Sequence, residues 1–143
     1  MRFSLIVATL GRSSEIGALL ESLLTQGRDD LEVIIVDQNA DDRVVPILAP
    51  YAPRMRITHL RSNIRNANHA RNLGLRAARG EIVTFPDDDC LYPDGVLARV
   101  DAAFLAVPSL GVLTGPAASP EGGLGSGRWR EDSGAIDLTN VWT

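Results

Sequence analysis

Residues 3–9 read FSLIVAT and residues 31–36 read LEVIIV, with Asp37 next. Both are short apolar runs rich in β-branched residues. Runs of that length without polar alternation suit strands covered on both faces, as in a parallel sheet. Between them Ile16, Leu19, Leu20, Leu23 and Leu24 recur at helical spacing, which lays an apolar stripe along one face of a helix. Ser13 and Ser14 offer an N-cap, Glu15 falls in the first turn and Gly27 supplies a stop. Strand, crossover helix and strand make one β-α-β unit, and such units build parallel sheets.

The alternation continues outward. A weaker helix is expected over residues 42–51, interrupted by Pro46 and closed by Pro50 and Pro53. Residues 55–60 predict a third strand, 66–79 a helix stopped by Gly80, and 82–85 a fourth strand running into Pro86. Gly74 weakens the middle of that helix. Residues 93–107 predict another helix, with Val96, Leu97, Val100 and Phe104 on one face, and 111–115 a short fifth strand. The fold class is therefore α/β, a largely parallel sheet with helices on both faces. Ligands in such sheets bind beyond the carboxyl ends of the strands. Three of those ends are polar here, at residues 9–12, 37–39 and 87–89. After Gly115 the composition turns to Gly, Pro and Ser, so residues 1–115 read as the core and 116–143 as a loop and polar tail.

A chain of 143 residues, 45% hydrophobic and 22% charged, suits one globular domain. Its uninterrupted apolar runs fall far below the ~20 residues of a membrane span, so no transmembrane segment is expected. Met1-Arg2-Phe3-Ser4 lacks the apolar core of a secretory leader. The lone cysteine, Cys90, leaves no intrachain disulfide and fits a reducing, cytoplasmic location. All 14 basic residues are Arg. Without Lys, a P-loop lysine and Schiff-base chemistry are excluded. Residues 43–79 carry eight Arg and no acid, whereas 87–101 carry five acids against Arg99. An acidic knot beside a basic segment repels nucleic acid. With a divalent metal, the pair suits a small phosphorylated ligand.

Asp87, Asp88 and Asp89 follow the fourth strand with only Pro86 between. Three adjacent carboxylates repel unless a cation offsets them. Hard cations such as Mg²⁺ and Mn²⁺ take one or two carboxylates plus phosphates and waters. If the segment stays extended, Asp87 and Asp89 share a side while Asp88 points elsewhere. A solvated acidic turn between Pro86 and Pro93 is the plainer alternative.

Five stretches taken in order, LIVATLGR (5–12), LLESLLTQG (19–27), LEVIIVDQN (31–39), ARNLGLRAARGEIV (70–83) and FPDDDCLYPD (85–94), resemble inverting family 2 glycosyltransferases. The DQN and FPDDDC spellings are similar to those of one bacterial subgroup. The resemblance implies a GT-A, Rossmann-like domain that binds a nucleotide-diphosphate sugar and works in glycan biosynthesis. It implies that Thr9, Arg12, Asp37, Gln38 and Asn39 hold nucleobase and ribose, and that Arg65 and Arg71 lie near the diphosphate. Asp87 and Asp88 then face the donor. Asp87 and Asp89 match the ends of a DxD motif that holds Mn²⁺ or Mg²⁺. Gln38 stands where many relatives have a second Asp, Leu10 replaces a common aromatic, and Asn66 stands where Gly is frequent.

The family's general base, an acid in a later ED-type motif, has no match after Gly115. Glu131-Asp132 comes too early in the family order. The chain thus reads as the donor-binding half of a longer, truncated enzyme, its tail opening a missing acceptor-binding half. Transfer to an unknown acceptor hydroxyl is the leading expectation; binding of nucleotide and metal without turnover is the alternative. A sheet lacking its other half is expected to self-associate as a homodimer, and peripheral membrane association stays open.

His59 and His69 read as structural or surface residues and Cys90 as a small buried filler. Trp129 and Trp142 suit either an acceptor site or packing of the tail. Arg76 and Arg79 read as solvated helix surface, and Arg56 and Arg61 bracket the third strand without a role. An aspartate-nucleophile phosphatase and a phospho-acceptor receiver both lack their Lys. A dinucleotide fold lacks its glycine fingerprint at residues 11–14.

Overall fold

A computed structural model of the protein describes residues 1–119, 123 and 134. In chain order the elements are β1 (Phe3–Thr9), α1 (Ser14–Leu24), β2 (Leu31–Asp37), α2 (Val45–Leu48), β3 (Arg56–Arg61), α3 (Ala67–Leu75), β4 (Ile82–Thr84) and α4 (Val96–Ala106). The four strands form one parallel sheet in the order β3-β2-β1-β4. The two runs that lacked alternation are its two central strands. Phe3, Leu5, Ile6 and Val7 of β1 and Val33 to Val36 of β2 are completely buried, because both faces of the sheet are covered.

The chain steps from β1 to β2 to β3 in one direction, then returns across the sheet to β4. Right-handed crossovers therefore put α1 and α2 on one face and α3 on the other. On the α3 face, Ile6, Ile34 and Val36 pack with Ala70, flanked by Ala8, Leu60 and Leu73. On the opposite face α1 buries Ile16, Leu19, Leu20 and Leu23. The Tyr51 hydroxyl donates to the Gly17 carbonyl at 3.0 Å, tying the segment after α2 to α1.

Gly74 sits mid-helix for a packing reason: a Cβ there would clash with Ile6 Cγ2. Gly80 does the same for backbone, since a Cβ would come within 2.6 Å of the Phe3 carbonyl carbon. Its amide donates to Ser4 Oγ at 2.7 Å, and the Arg79 amide donates to Glu32 Oε1 at 2.7 Å. Ser4 Oγ donates to the same Glu32 oxygen at 2.6 Å. This buried polar knot closes the amino end of the sheet. Nearby, Arg28 lies over the Phe3 ring and reaches Asp30 at 2.7 Å and Asp101 at 3.0 Å, while Arg2 holds Asp101 at 2.7 Å.

Several boundaries differ from expectation. The second helix is a single turn, and Pro46 opens it instead of interrupting it, since an orphan amide is already lost there. α3 stops at Leu75, and Met55 lies outside β3. Residues 111–115 form no strand. That segment is bounded by two glycines and exposes Val112 and Leu113, so it has neither the side-chain burial nor the ladder that a strand requires. The chain divides into two compact units, Met1–Asp101 and Ala102–Thr143. Trp129, Glu131, Asp132 and Trp142 lie outside the described residues. Among the described residues no helix is long and apolar enough to cross a membrane.

Two outcomes follow from this packing. Gly80→Ala lowers the urea unfolding free energy by about 1–3 kcal/mol, the usual cost of forcing atoms into a filled space. Asp30 and Asp101 are held below their ordinary value of 3.8, chiefly by hydrogen bonds from Arg28 and Arg2 respectively. A carboxylate depressed in the folded state stabilises fully above that value and loses its contribution as pH falls through the lower folded one. Urea midpoints should therefore drop below about pH 4, and Arg28→Ala should flatten that acid limb.

Candidate functional site

β1 extends to Thr9, but β4 pairs with it only as far as Leu5, opposite Thr84. Among the described residues β1 has no ladder partner on that side from Ile6 onward, so the backbone pairing of the β1 tip with the chain leaving β4 ends there. The same place is the switch point of the sheet, where connections run off in opposite directions and open α/β sheets take their ligands. Thr9, Asp37 and Arg61 end their strands there in register.

Side chains join the β1 tip to the chain leaving β4. Buried Thr9 Oγ1 donates to Asp88 Oδ2 at 2.8 Å. The acidic triplet does not stay extended. It turns at Asp88 and Asp89, and the Cys90 amide donates to the Asp87 carbonyl at 3.2 Å. Asp87 and Asp89 are therefore not placed on one side by the alternation of an extended strand. Asp87 accepts from Arg71 at 3.1 Å, Asp88 meets Arg12 Nε at 3.4 Å as well as Thr9, and Asp89 pairs with Arg12 Nη1. The turn leaves each of the three carboxylates beside an arginine, with Arg12 shared by Asp88 and Asp89. The hydrogen bond to Asp89 and the charges of Asp88 and Asp89 hold the Arg12 guanidinium above its ordinary value.

Among the described residues no three of His, Cys, Asp and Glu gather as a metal-holding group. The donor chemistry still fits a hard cation. Asp87 Oδ2 and Asp89 Oδ1 have no hydrogen bond among the described residues, and both side chains are well exposed, 68% and 44%.

The other side of the mouth is built on Asp37, whose side chain is fully buried. Its Oδ1 accepts from the Asn39 amide at 2.9 Å and from Asn39 Nδ2 at 2.7 Å. Its Oδ2 meets His59 Nε2 at 3.1 Å and Arg61 Nη1 at 3.4 Å. Sequence reading gave His59 and Arg61 no role at the site. The signal was present in the pairing: Ile35↔His59 and Asp37↔Arg61 put both on the Asp37 face of adjacent strands. Asn39 Oδ1 accepts the Gly11 amide at 2.7 Å, and Arg43 Nη1 donates to the Gly11 carbonyl at 3.3 Å. Gly11 has φ +82, a conformation only glycine adopts freely. Arg43 also pairs with Asp41 and pushes that carboxyl down to about 2.

Gln38 is buried, and its Oε1 is the buried side-chain atom without a partner among the described residues. It lines a groove of ≈ 320 Å³ with Asn39, Arg61, Ser62, Asn63 and Arg65. Leu10 is half-exposed at 45%. Asn66 is not left-handed. It is extended, φ −147, and caps α3 by accepting the His69 amide at 2.9 Å, which is a job glycine cannot do. Exposed His69 serves that cap only through its backbone. Burial pushes the Cys90 thiol up, with the neighbouring carboxylates adding to it, so it is no ready nucleophile.

The architecture is an open parallel α/β domain whose candidate site lies at the strand carboxyl ends. Residues 4–130 match Glycosyl transferase family 2, and the chain belongs to that family. An uncharacterised glycosyltransferase of Haemophilus influenzae is 38% identical over 92 residues, covering 64% of this chain and 31% of that protein. Poly(ribitol-phosphate) beta-N-acetylglucosaminyltransferase TarS of Staphylococcus aureus is 33% identical over 93 residues, 62% of this chain and 16% of TarS. The crystal structure of TarS 1-349 superposes with a TM-score of 0.69 at 26% identity, covering 80% of this chain and 39% of that one. Its complex with UDP-GlcNAc superposes at 0.68, with 26% identity over 80% of this chain and 37% of the other. The chain thus spans about a third or less of the length of these curated relatives.

Thr9→Val tests the bridge across the crevice. Losing a hydrogen bond to a charged, largely buried acceptor should cost about 1.5–3 kcal/mol of unfolding free energy by urea titration.

Proposed function

We propose that this chain is the donor-binding part of a glycosyltransferase that moves a sugar, with inversion, from a nucleotide-diphosphate sugar to an acceptor hydroxyl. The observation that supports it most is the unsatisfied buried acceptor Gln38 Oε1 in the groove at the carboxyl ends of β2 and β3, beside a β1 tip that Thr9 and Arg12 join to the acidic turn. A buried acceptor without a donor costs about 1–3 kcal/mol, and a base edge carrying a ring N–H removes that cost. One relative, TarS 1-349, has been solved with UDP and with UDP-GlcNAc, which favours a uridine donor.

In this reading Gln38 and Asn39 line the base and ribose end, while Asp37 shapes the wall from behind. Arg12, Arg65 and Arg71 supply positive charge to the diphosphate, where negative charge gathers as the anomeric bond breaks. Asp87 and Asp89 would hold a divalent Mn²⁺ or Mg²⁺, which would offset leaving-group charge when bound. The acceptor oxygen attacks the anomeric carbon in line, the sugar–phosphate oxygen bond breaks, and the nucleoside diphosphate departs. No described residue is assigned as the base that takes the acceptor proton. Because the chain spans less than half the length of the relatives it matches, a second reading is binding of donor and metal without transfer.

Isothermal titration with UDP, with and without Mn²⁺, tests the site. Binding strengthened by Mn²⁺ is expected. Asp89→Asn should erase the metal dependence, and Gln38→Leu should weaken UDP about tenfold, one lost hydrogen bond at a buried acceptor. Unchanged affinity and metal dependence in Asp89→Asn would remove the acidic turn from the site. A donor-hydrolysis assay beside it separates turnover from binding alone.

A further inference from the structure

Asp37 ends β2 at the mouth of the crevice, yet it offers nothing to a ligand. Its side chain is fully buried, and both oxygens are taken by His59, Arg61 and Asn39. A group so enclosed acts on what surrounds it. The contacts run in one line: His59 Nε2 to Asp37 Oδ2 at 3.1 Å, Asp37 Oδ1 to Asn39 Nδ2 at 2.7 Å, and Asn39 Oδ1 to the Gly11 amide at 2.7 Å. Gly11 leads directly into Arg12, which engages the acidic turn. Asn39 also follows Gln38, which carries the unpartnered acceptor. The line therefore joins the loop after β1 to the loop after β2 from behind the crevice.

We propose that His59 is a positioning residue of the donor site: acting through Asp37, it sets the Asn39–Gly11 bridge that fixes Gln38 and Arg12 on opposite sides of the ligand. Since a carboxylate oxygen can only accept, Nε2 carries the proton and His59 donates. His59 is the partner suited to fix the Asp37 carboxylate. Arg61 lies further from the same oxygen and divides its guanidinium with Asp42 at 3.0 Å and the Asn39 carbonyl at 3.3 Å. With the imidazole gone, a buried oxygen loses its nearer donor, and the carboxylate is free to turn and release the Asn39 amide. In its ligand the inference rests on the reading under Proposed function. In its mechanism it rests on the contacts alone.

Two readouts on the intact chain test it: hydrogen exchange of the Gly11 amide by NMR, and UDP affinity by titration with Mn²⁺. His59→Leu should speed Gly11 exchange and weaken UDP, each about tenfold, the loss of one charge-assisted hydrogen bond. His59→Gln places an N–H near the Nε2 position and should recover both to within about threefold. In an Asp37→Asn background His59→Leu should add nothing further, the mark of two groups acting as one. Should His59→Leu fail to fold, His59→Asn, whose amide is too short to reach, takes its place against His59→Gln. Slow Gly11 exchange retained in His59→Leu, faster exchange with unchanged UDP affinity, or no recovery in His59→Gln would each overturn the proposal. If the unaltered chain binds no UDP, the donor reading fails, and Gly11 exchange still decides whether His59 sets the bridge.

Discussion

Three consecutive carboxylates at the tip of β4 repel one another, and the chain resolves that repulsion by turning at once. The turn sends Asp87 to Arg71 of α3, Asp88 to Thr9 of β1 and to Arg12, and Asp89 to Arg12. These pairings join the acidic turn to α3 through Arg71, to β1 through Thr9 and to the loop after β1 through Arg12. The Thr9–Asp88 bond has particular weight because the β1–β4 ladder ends four residues before the β1 tip. Past Leu5, side chains and not backbone hold the two tips in relation.

The two ends of the sheet solve opposite problems. At the amino end, Gly80 packs directly on the backbone of β1, and the Ser4–Glu32 pair serves the amides of Arg79 and Gly80. Nothing larger than hydrogen fits there. At the carboxyl end β1, β2 and β3 end in register at Thr9, Asp37 and Arg61, while β4 stops opposite Leu5. Asp37 is buried at that end. Four donors serve its two oxygens, so the charge is compensated without water and the wall it supports stays in place. An end sealed by packing thus braces an end shaped for binding.

The central strands were plain in the sequence because burial on both faces forbids alternation, as Leu5 to Val7 and Val33 to Val36 show. The edges of the fold were harder to read. Pro46 suggested an interruption where it begins a turn of helix, and Gly74 suggested a weak helix where close approach to Ile6 demands glycine. Both errors have one origin: local propensity was judged without the neighbour that decides it. At the site, Asp87 to Asp89, Gln38 and Arg12 stood out from composition and strand ends. The directions of the carboxylates did not, since they depend on arginines from distant segments. His59 and Arg61 stayed hidden because they approach Asp37 through strand register, 22 and 24 residues away in sequence.

Amide chemical-shift mapping with uridine diphosphate and Mg²⁺ tests the central claim most directly. Perturbations confined to residues 9–12, 37–40, 61–66, 71 and 84–89 are expected. The arginine-lined groove of ≈ 330 Å³ at the amino ends of β2 and β3, beside Arg28, Arg54 and Arg56, should stay silent. Shifts centred on that opposite groove, or none anywhere at saturating nucleotide, would contradict it.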